Sequence, residues 1–261
     1  MGKLTRAFEK KFKDVEDINT TISNFPPGNR WDQRLRLSTN LRSPFLEKFR
    51  TVLAPILYKS SDQQPQKIMV TSVMPGEGKG FICANLGVGI SQAIEYHALL
   101  VDCDLRRPTL AQLFGLTNET GLVDHLQDNV DLSLLIRKTG QPKLSILPSG
   151  KPPQNPSELL SSSRMATLIN ELAERYPDRI ILFDTPPSMV ASETNVLATH
   201  LDGVILVVRH GAAPKKDVKK FVDALGPENI LGLVYNAYPE NRIETFLNKR
   251  MKYGYDYNNY Y

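Results

Sequence analysis

Four charged side chains in this sequence have the types and spacing to bind and move a phosphoryl group: Lys79, Asp102, Asp104 and Asp184. Lys79 lies in the run Met74-Pro75-Gly76-Glu77-Gly78-Lys79-Gly80. An apolar stretch, Ile68-Met69-Val70-Thr71-Ser72, precedes it, and Phe81-Ile82-Cys83-Ala84-Asn85-Leu86-Gly87-Val88 follows it. A strand, a glycine-rich turn ending in Gly-Lys and a helix are the parts of a loop that cradles nucleotide phosphates. Glycines let the backbone come close, N–H groups and the helix N-terminus bind the anion, and the lysine reaches the outer phosphates. Pro75, Gly76, Glu77, Gly78, Lys79, Gly80 and Phe81 are the residues expected to hold the nucleotide. A serine or threonine ordinarily follows the lysine and offers its hydroxyl to Mg²⁺. Here that residue is Gly80, so the loop that announces a nucleotide raises a question about its metal.

The acids for that metal stand at two strand ends. Ala98-Leu99-Leu100-Val101-Asp102-Cys103-Asp104-Leu105-Arg106-Arg107-Pro108 reads as a strand ending in two aspartates and two arginines. Side chains alternate with period two, so Asp102 and Asp104 face the same way if the strand persists. Ile180-Ile181-Leu182-Phe183-Asp184-Thr185-Pro186-Pro187 repeats the logic, its prolines stopping the strand. Mg²⁺ is usually held by one or two carboxylates with waters and phosphates. Asp102, Asp104 and Asp184 are therefore the candidate metal ligands and, with Lys79, the candidate catalytic groups. One aspartate at a strand end is often only a turn former or helix cap; three of them after a phosphate loop argue for a site. Arg106 and Arg107 suit phosphate neutralisation, pairing with acids of a neighbouring protomer, or an ordinary surface ion pair.

Such a site needs a frame. Apolar strand candidates fall at Lys67–Ser72, Ala98–Cys103, Leu144–Leu147, Arg179–Asp184, Val204–Val208 and Ile230–Asn236. Helical patterns lie between them, at Phe81–Ile94, Gln154–Tyr176, Ser192–Thr199 and Pro214–Leu225. Strands apolar on both faces and separated by helices predict an α/β fold, a parallel sheet with helices on both faces. Ligands of such sheets bind beyond the carboxyl ends of the strands. Ahead of the sheet, Ser43-Pro44 opens a helix with Phe45, Leu46, Phe49, Val52, Leu53 and Leu57 on one face. The expected organisation is a basic, loosely ordered arm over 1–42, one domain over 43–245 and a tyrosine-rich tail over 246–261.

With 261 residues, 41% apolar and 23% charged, the chain can bury a sizeable core. Cys83 and Cys103 fall in predicted core elements and are expected to be reduced thiols, which points to the cytosol. Cys and His show no metal-ligand spacing. Neither a bilayer span nor a secretory signal is expected, because no window is apolar enough for either. Net charge is +4, yet residues 1–50 hold eleven Lys or Arg against six Asp or Glu. That basic arm suits anionic lipid or an acidic partner, or is simply solvated. The domain itself is not basic, so no nucleic-acid partner is expected.

Half of the ten tyrosines stand in the last nine residues, Tyr253-Gly254-Tyr255-Asp256-Tyr257-Asn258-Asn259-Tyr260-Tyr261. The intervening Gly, Asn and Asp disfavour helix and packed strand, so an exposed tail is expected. It reads either as an aromatic docking tail or as a set of phosphate acceptors: Tyr253, Tyr255, Tyr257, Tyr260 and Tyr261. A phenol with a pKa of about 10 needs a general base and a cation-clamped phosphate to attack a nucleotide. The three aspartates and Lys79 could fill those roles. So short a tail does not easily reach its own site across a domain, which favours transfer to a neighbouring subunit.

Together, from about Ser43 to Tyr261, these residues resemble the bacterial tyrosine kinases that regulate capsule and exopolysaccharide export, a P-loop NTPase-type family. Pro75–Lys79 resembles the family's first Walker motif. Asp102-Cys103-Asp104-Leu105-Arg106-Arg107-Pro108 resembles its distinctive second one, and Ile181-Leu182-Phe183-Asp184-Thr185-Pro186-Pro187 its Walker B strand. Pro148-Ser149-Gly150 through Asn155-Pro156-Ser157-Glu158-Leu159-Leu160 resembles a further family segment, and the tyrosine cluster completes the set. The resemblance implies ATP and Mg²⁺ as cofactors and autophosphorylation of the tail in trans within a homo-oligomeric ring. It also implies regulation of polysaccharide polymerisation and export, with a transmembrane activator of the chain-length-determinant type, fused or separate. Without a span of its own, the chain looks like the separate cytoplasmic subunit, held at the inner face of the plasma membrane by that partner. The family's ring contacts use a Glu-x-x-Arg-x-x-Arg helix. Glu47 and Arg50 match it and the third position is Leu53, so a ring is implied and its stoichiometry is open. Asn236, in Tyr235-Asn236-Ala237, resembles a base-contacting position of related ATPases and equally suits a strand cap.

Gly80 departs from the family. Water can replace one hydroxyl while Asp102, Asp104 and Asp184 remain, so weaker Mg²⁺ binding and slower transfer are expected. The leading reading is an ATP-dependent protein-tyrosine autokinase. Two others stay open. One is a nucleotide-binding regulatory subunit with weak or no kinase activity, motivated by Gly80. The other is a positioning ATPase of the Min and Par type, opposed by the tail and by Met74, where those proteins carry a lysine.

Overall fold

Successive residues of the central strands go to opposite faces of a sheet. Ala98, Leu100, Ile180 and Leu182 pack into one buried apolar cluster, and Leu99, Val101, Ile181 and Phe183 into another. This is what strands covered on both faces require. In the computed structural model, which describes residues 31, 32, 35, 44–57 and 64–237, the strands are β1 (Lys67–Ser72), β2 (His97–Asp102), β3 (Arg137–Lys138), β4 (Leu144–Leu147), β5 (Arg179–Asp184), β6 (Gly203–Arg209) and β7 (Ile230–Asn236). Their spatial order is β3-β4-β2-β5-β1-β6-β7. Every neighbouring pair is parallel except β3 with β4. The fold is the expected α/β, P-loop NTPase-type sheet.

Helices α1 (Pro44–Leu57) and α2 (Lys79–Ser91) cover one face through Phe49, Leu53, Ile56, Ile82, Leu86 and Ile90. The other face is covered by α4 (Leu122–Asp128) and α7 (Ser163–Arg175), which bring Leu122, Leu126, Met165, Leu168, Ile169 and Leu172. The strand order sets β1, β2 and β5 together at the centre. In register, Asp184 stands opposite Asp102 on one side and Val70 on the other. The carboxyl ends of three strands thus converge on the loop that leads from β1 into α2.

Several local expectations change. The helix expected over Gln154–Tyr176 is two, α6 (Pro156–Leu160) and α7, because the Ser162 side chain accepts the N–H of Met165 and starts a new helix. The strand expected to reach Cys103 ends at Asp102, so Asp104 is delivered by a turn and not by strand alternation. The short helices α3 (Leu110–Leu113) and α5 (Leu132–Leu135), with α4 and β3, were not expected at all. Of the remaining helices, α8 (Glu193–Ala198) and α9 (Lys215–Leu225) fall where their patterns predict.

The loosely ordered arm over 1–42 does not hold for Trp31 and Leu35, which are buried in the first cluster. Trp31 packs edge-on against Phe114, and its Nε1–H donates to the Thr139 carbonyl at 2.9 Å. Cys83 and Cys103 are unpaired and buried, and burial pushes both thiol pKa values up. Among the described residues no helix is long and apolar enough to cross a membrane. The tail tyrosines Tyr253, Tyr255, Tyr257, Tyr260 and Tyr261 lie outside the described residues, as does the side chain of Glu47.

Candidate nucleotide and metal site

The glycines of the loop are there for its backbone. Gly76 and Gly78 have φ of 78° and 92°, values that residues with a Cβ seldom adopt. A Cβ on Gly78 would also collide with the Asn236 amide. Glu77, expected to face the nucleotide, turns its fully buried side chain the other way. Its Oε2 accepts the N–H of Met74 at 2.7 Å and its Oε1 the N–H of Arg209 at 3.1 Å. Asn236 Nδ2 donates to the Glu77 carbonyl at 2.7 Å, and the Arg209 guanidinium donates to the Gly76 carbonyl at 3.2 Å. The loop is thus tied to the ends of β6 and β7. Arg209 carries no motif and was missed by sequence reasoning. Asn236 serves here as a strand-end brace.

Lys79 begins α2 and reaches into the acids. Its Nζ donates to Asp104 Oδ2 at 2.6 Å and lies 4.0 Å from Asp184 Oδ1. Burial would lower the Lys79 pKa, but the Asp184, Asp104 and Asp102 carboxylates outweigh it and hold it above the ordinary lysine value. The lysine is therefore an ammonium under all working conditions.

The three aspartates have three different environments. Asp102, expected as a metal ligand, uses both oxygens on backbone: Oδ1 accepts Asp104 N–H at 3.2 Å, and Oδ2 accepts Thr109 and Leu110 N–H at 3.1 and 3.0 Å. Burial, then the neighbouring Asp184, raises its pKa. Asp104 faces the cleft and holds Lys79 with one oxygen and the Arg107 N–H, at 3.2 Å, with the other. Asp184 is fully buried and neither of its oxygens has a hydrogen-bond partner. Burial pushes its pKa up to about 6, against the pull of Lys79. A buried polar atom left unpaired at a native site calls for an ion or water. A carboxylate open in this way beside a phosphate loop fits Mg²⁺, which needs few protein ligands. Among the described residues no three Asp, Glu, His or Cys groups form a ready metal cage.

A cleft of about 610 Å³ opens over these groups, with Gly76, Gly78, Lys79 and Gly80 on one side and Asp104, Arg107 and Thr109 on the other. That is nucleotide-sized. Arg106, expected at a protomer contact, is bound within the chain: its guanidinium donates to Glu193 Oε1 at 2.9 Å and to Ser157 Oγ at 2.7 Å. Arg107 and Arg50 are exposed, and Arg50, on α1, is not among the residues that line the cleft.

No family profile matches the chain. Individual proteins do. The chain is 34% identical over 230 residues to tyrosine-protein kinase YwqD of Bacillus subtilis, covering 87% of this chain and 93% of that one. It is 32% identical over 194 residues to tyrosine-protein kinase Wzc of Salmonella typhimurium, covering 74% of this chain and 27% of that longer one. The crystal structure of the chimerical protein CapA2B2 superposes with a TM-score of 0.73 at 32% identity, over 86% of this chain and 99% of the other. With 34% identity to YwqD over 87% of this chain and 93% of that one, and with the loop, lysine and aspartates assembled at the sheet edge, the chain belongs to the family of bacterial tyrosine-protein kinases.

Proposed function

We propose that this chain binds ATP with Mg²⁺ in the cleft and transfers the γ-phosphoryl group to tyrosine hydroxyls, first of all those of Tyr253, Tyr255, Tyr257, Tyr260 and Tyr261 on another copy of itself. The observation that carries the reading is the meeting of Lys79, Asp104 and Asp184, whose buried oxygens accept no hydrogen bond, beneath a glycine loop. The loop N–H groups and the start of α2 bind phosphate oxygens. Lys79, kept charged by its carboxylate neighbours, neutralises the transferring group. Asp184 and Asp104 would hold Mg²⁺, which would offset the charge developing on the phosphate oxygens. Asp104 is the carboxylate that faces the cleft, and so is placed to accept the phenol proton as the tyrosine oxygen attacks. Asp102 shapes the turn that presents Asp104.

Regulation of capsule or exopolysaccharide export, a ring of protomers contacting through Glu47 and Arg50, and a transmembrane activator that holds the chain at the inner membrane face extend the proposal. Support for these is the family resemblance alone. Gly80 favours a second reading, a regulatory subunit that binds nucleotide without transfer. One assay separates the two: incubation with Mg-ATP and a transmembrane activator, with phosphotyrosine located by mass spectrometry. Phosphate within 253–261, lost in Lys79→Met, is the expected result. Bound ATP with no phosphotyrosine would establish the regulatory reading, and no ATP binding would remove the site.

A further inference from the structure

The hydroxyl that the loop lacks after Lys79 has a substitute from another part of the chain. We propose that Thr109 supplies to the phosphate-bound cation the hydroxyl that a serine or threonine at position 80 would otherwise give, a proposal that rests on the nucleotide reading of the cleft. A Cβ placed on Gly80 would collide with Thr109 Oγ1, and would stand 3.0 Å from Asp184 Oδ2. The threonine oxygen therefore fills the volume in which a side chain at position 80 would begin, beside Asp184, neither of whose buried oxygens has a hydrogen-bond partner. Thr109 also lines the cleft, within reach of a ligand.

Two further observations set this hydroxyl aside for such a purpose. Thr109 precedes α3 as its N-cap residue, where a threonine oxygen normally accepts a backbone N–H of the first turn. It makes no such bond. Its position is fixed by backbone instead, since the N–H groups of Thr109 and Leu110 both donate to Asp102 Oδ2. Asp102 is then a positioning residue: it spends its oxygens on the turn that sets Thr109 against Gly80. Glycine at position 80 is the condition for that approach. The site has room for one hydroxyl, offered from 80 or from 109. A neutral hydroxyl oxygen is a donor Mg²⁺ accepts beside carboxylate, phosphate and water.

The test titrates the ADP-bound chain with Mn²⁺, following loss of the free-ion paramagnetic resonance signal. ADP affinity in EDTA is measured separately. Thr109→Val is expected to weaken Mn²⁺ binding about tenfold or more, and Thr109→Ser to retain it. Each variant's ADP affinity in EDTA is the reference against which its Mn²⁺ affinity is read. In a Gly80→Ser background, Thr109→Val is expected to change Mn²⁺ affinity less than about twofold, a strongly non-additive cycle. Unchanged Mn²⁺ binding in Thr109→Val, or the same loss in the Gly80 and Ser-substituted backgrounds, overturns the proposal while the nucleotide reading stands. Failure of the parent chain to bind ADP at all removes both.

Discussion

Asp184 is the residue at which stability and function pull apart. It is fully buried, and burial raises its pKa from 3.8 to about 6. A carboxyl group whose folded pKa is raised favours the protonated folded form, so stability falls as pH rises between about 4 and 6. Above that window the ionised group destabilises the metal-free chain by up to about 3 kcal/mol. Asp184→Asn removes the charge at nearly constant shape. It is expected to raise the urea-unfolding free energy of the metal-free chain by about 1–3 kcal/mol at pH 8, to change it little at pH 4, and to abolish tyrosine phosphorylation. Equal stabilities at both pH values would show that ionisation of Asp184 is not the destabilising factor. Lys79, Asp102, Asp104 and Asp184 were legible in the sequence because glycine spacing and strand ends announce them. The division of labour among them was not. That Asp102 serves backbone and Asp184 stays open depends on the turn at 103–109, whose path no periodicity encodes.

At the scale of elements, the phosphate loop is held from outside itself. Its sequence shows the glycines, but its ties run to β6 through Glu77 and Arg209 and to β7 through Asn236. Such contacts link residues distant in the chain and leave no local signal. The long strands were legible because apolar runs of strand length admit few other arrangements, whereas α3 and α5, of four residues each, span barely one helical turn, too little for a period to repeat. Asn236→Ala tests the bracing role. It removes one hydrogen bond, worth about 1 kcal/mol, and should weaken ATP binding about fivefold with the preference for ATP over GTP unchanged. Loss of that preference would instead mean that Asn236 reads the base. Trp31, which sequence reasoning left in the arm, ties the chain ahead of α1 to Phe114 and to the carbonyl of Thr139. Its indole is buried, so Trp31→Ala is expected to lower unfolding free energy by about 3 kcal/mol; a loss under about 1 kcal/mol would place it at the surface.

At the scale of the whole molecule, the question is how the proposed acceptors meet the candidate site. The site sits at the carboxyl ends of β1, β2 and β5, and the tyrosines follow β7, an edge strand two places from β1 in the sheet. A tail with glycine and asparagine between its tyrosines suits presentation to a second copy better than a return to its own cleft. If the proposed ring forms, charge would couple its assembly to phosphorylation of the tails. Each phosphate adds about −1.5 to −2 charges, so several on one tail would repel one another and the acids of the site. The decisive measurement mixes two chains, neither of which can label itself. One is Lys79→Met, with an intact tail and no transfer. The other retains Lys79 and carries Phe at all five tail positions, so that it transfers but cannot accept. Phosphotyrosine is expected on the Lys79→Met chain only in the mixture, at an initial rate that rises with the concentration of its partner. Light scattering on the wild-type assembly should show its mass falling as the tails fill. Labelling of wild type with none in the mixture would place the reaction within one chain, and the tail would then have to fold back over β7 to reach Asp104.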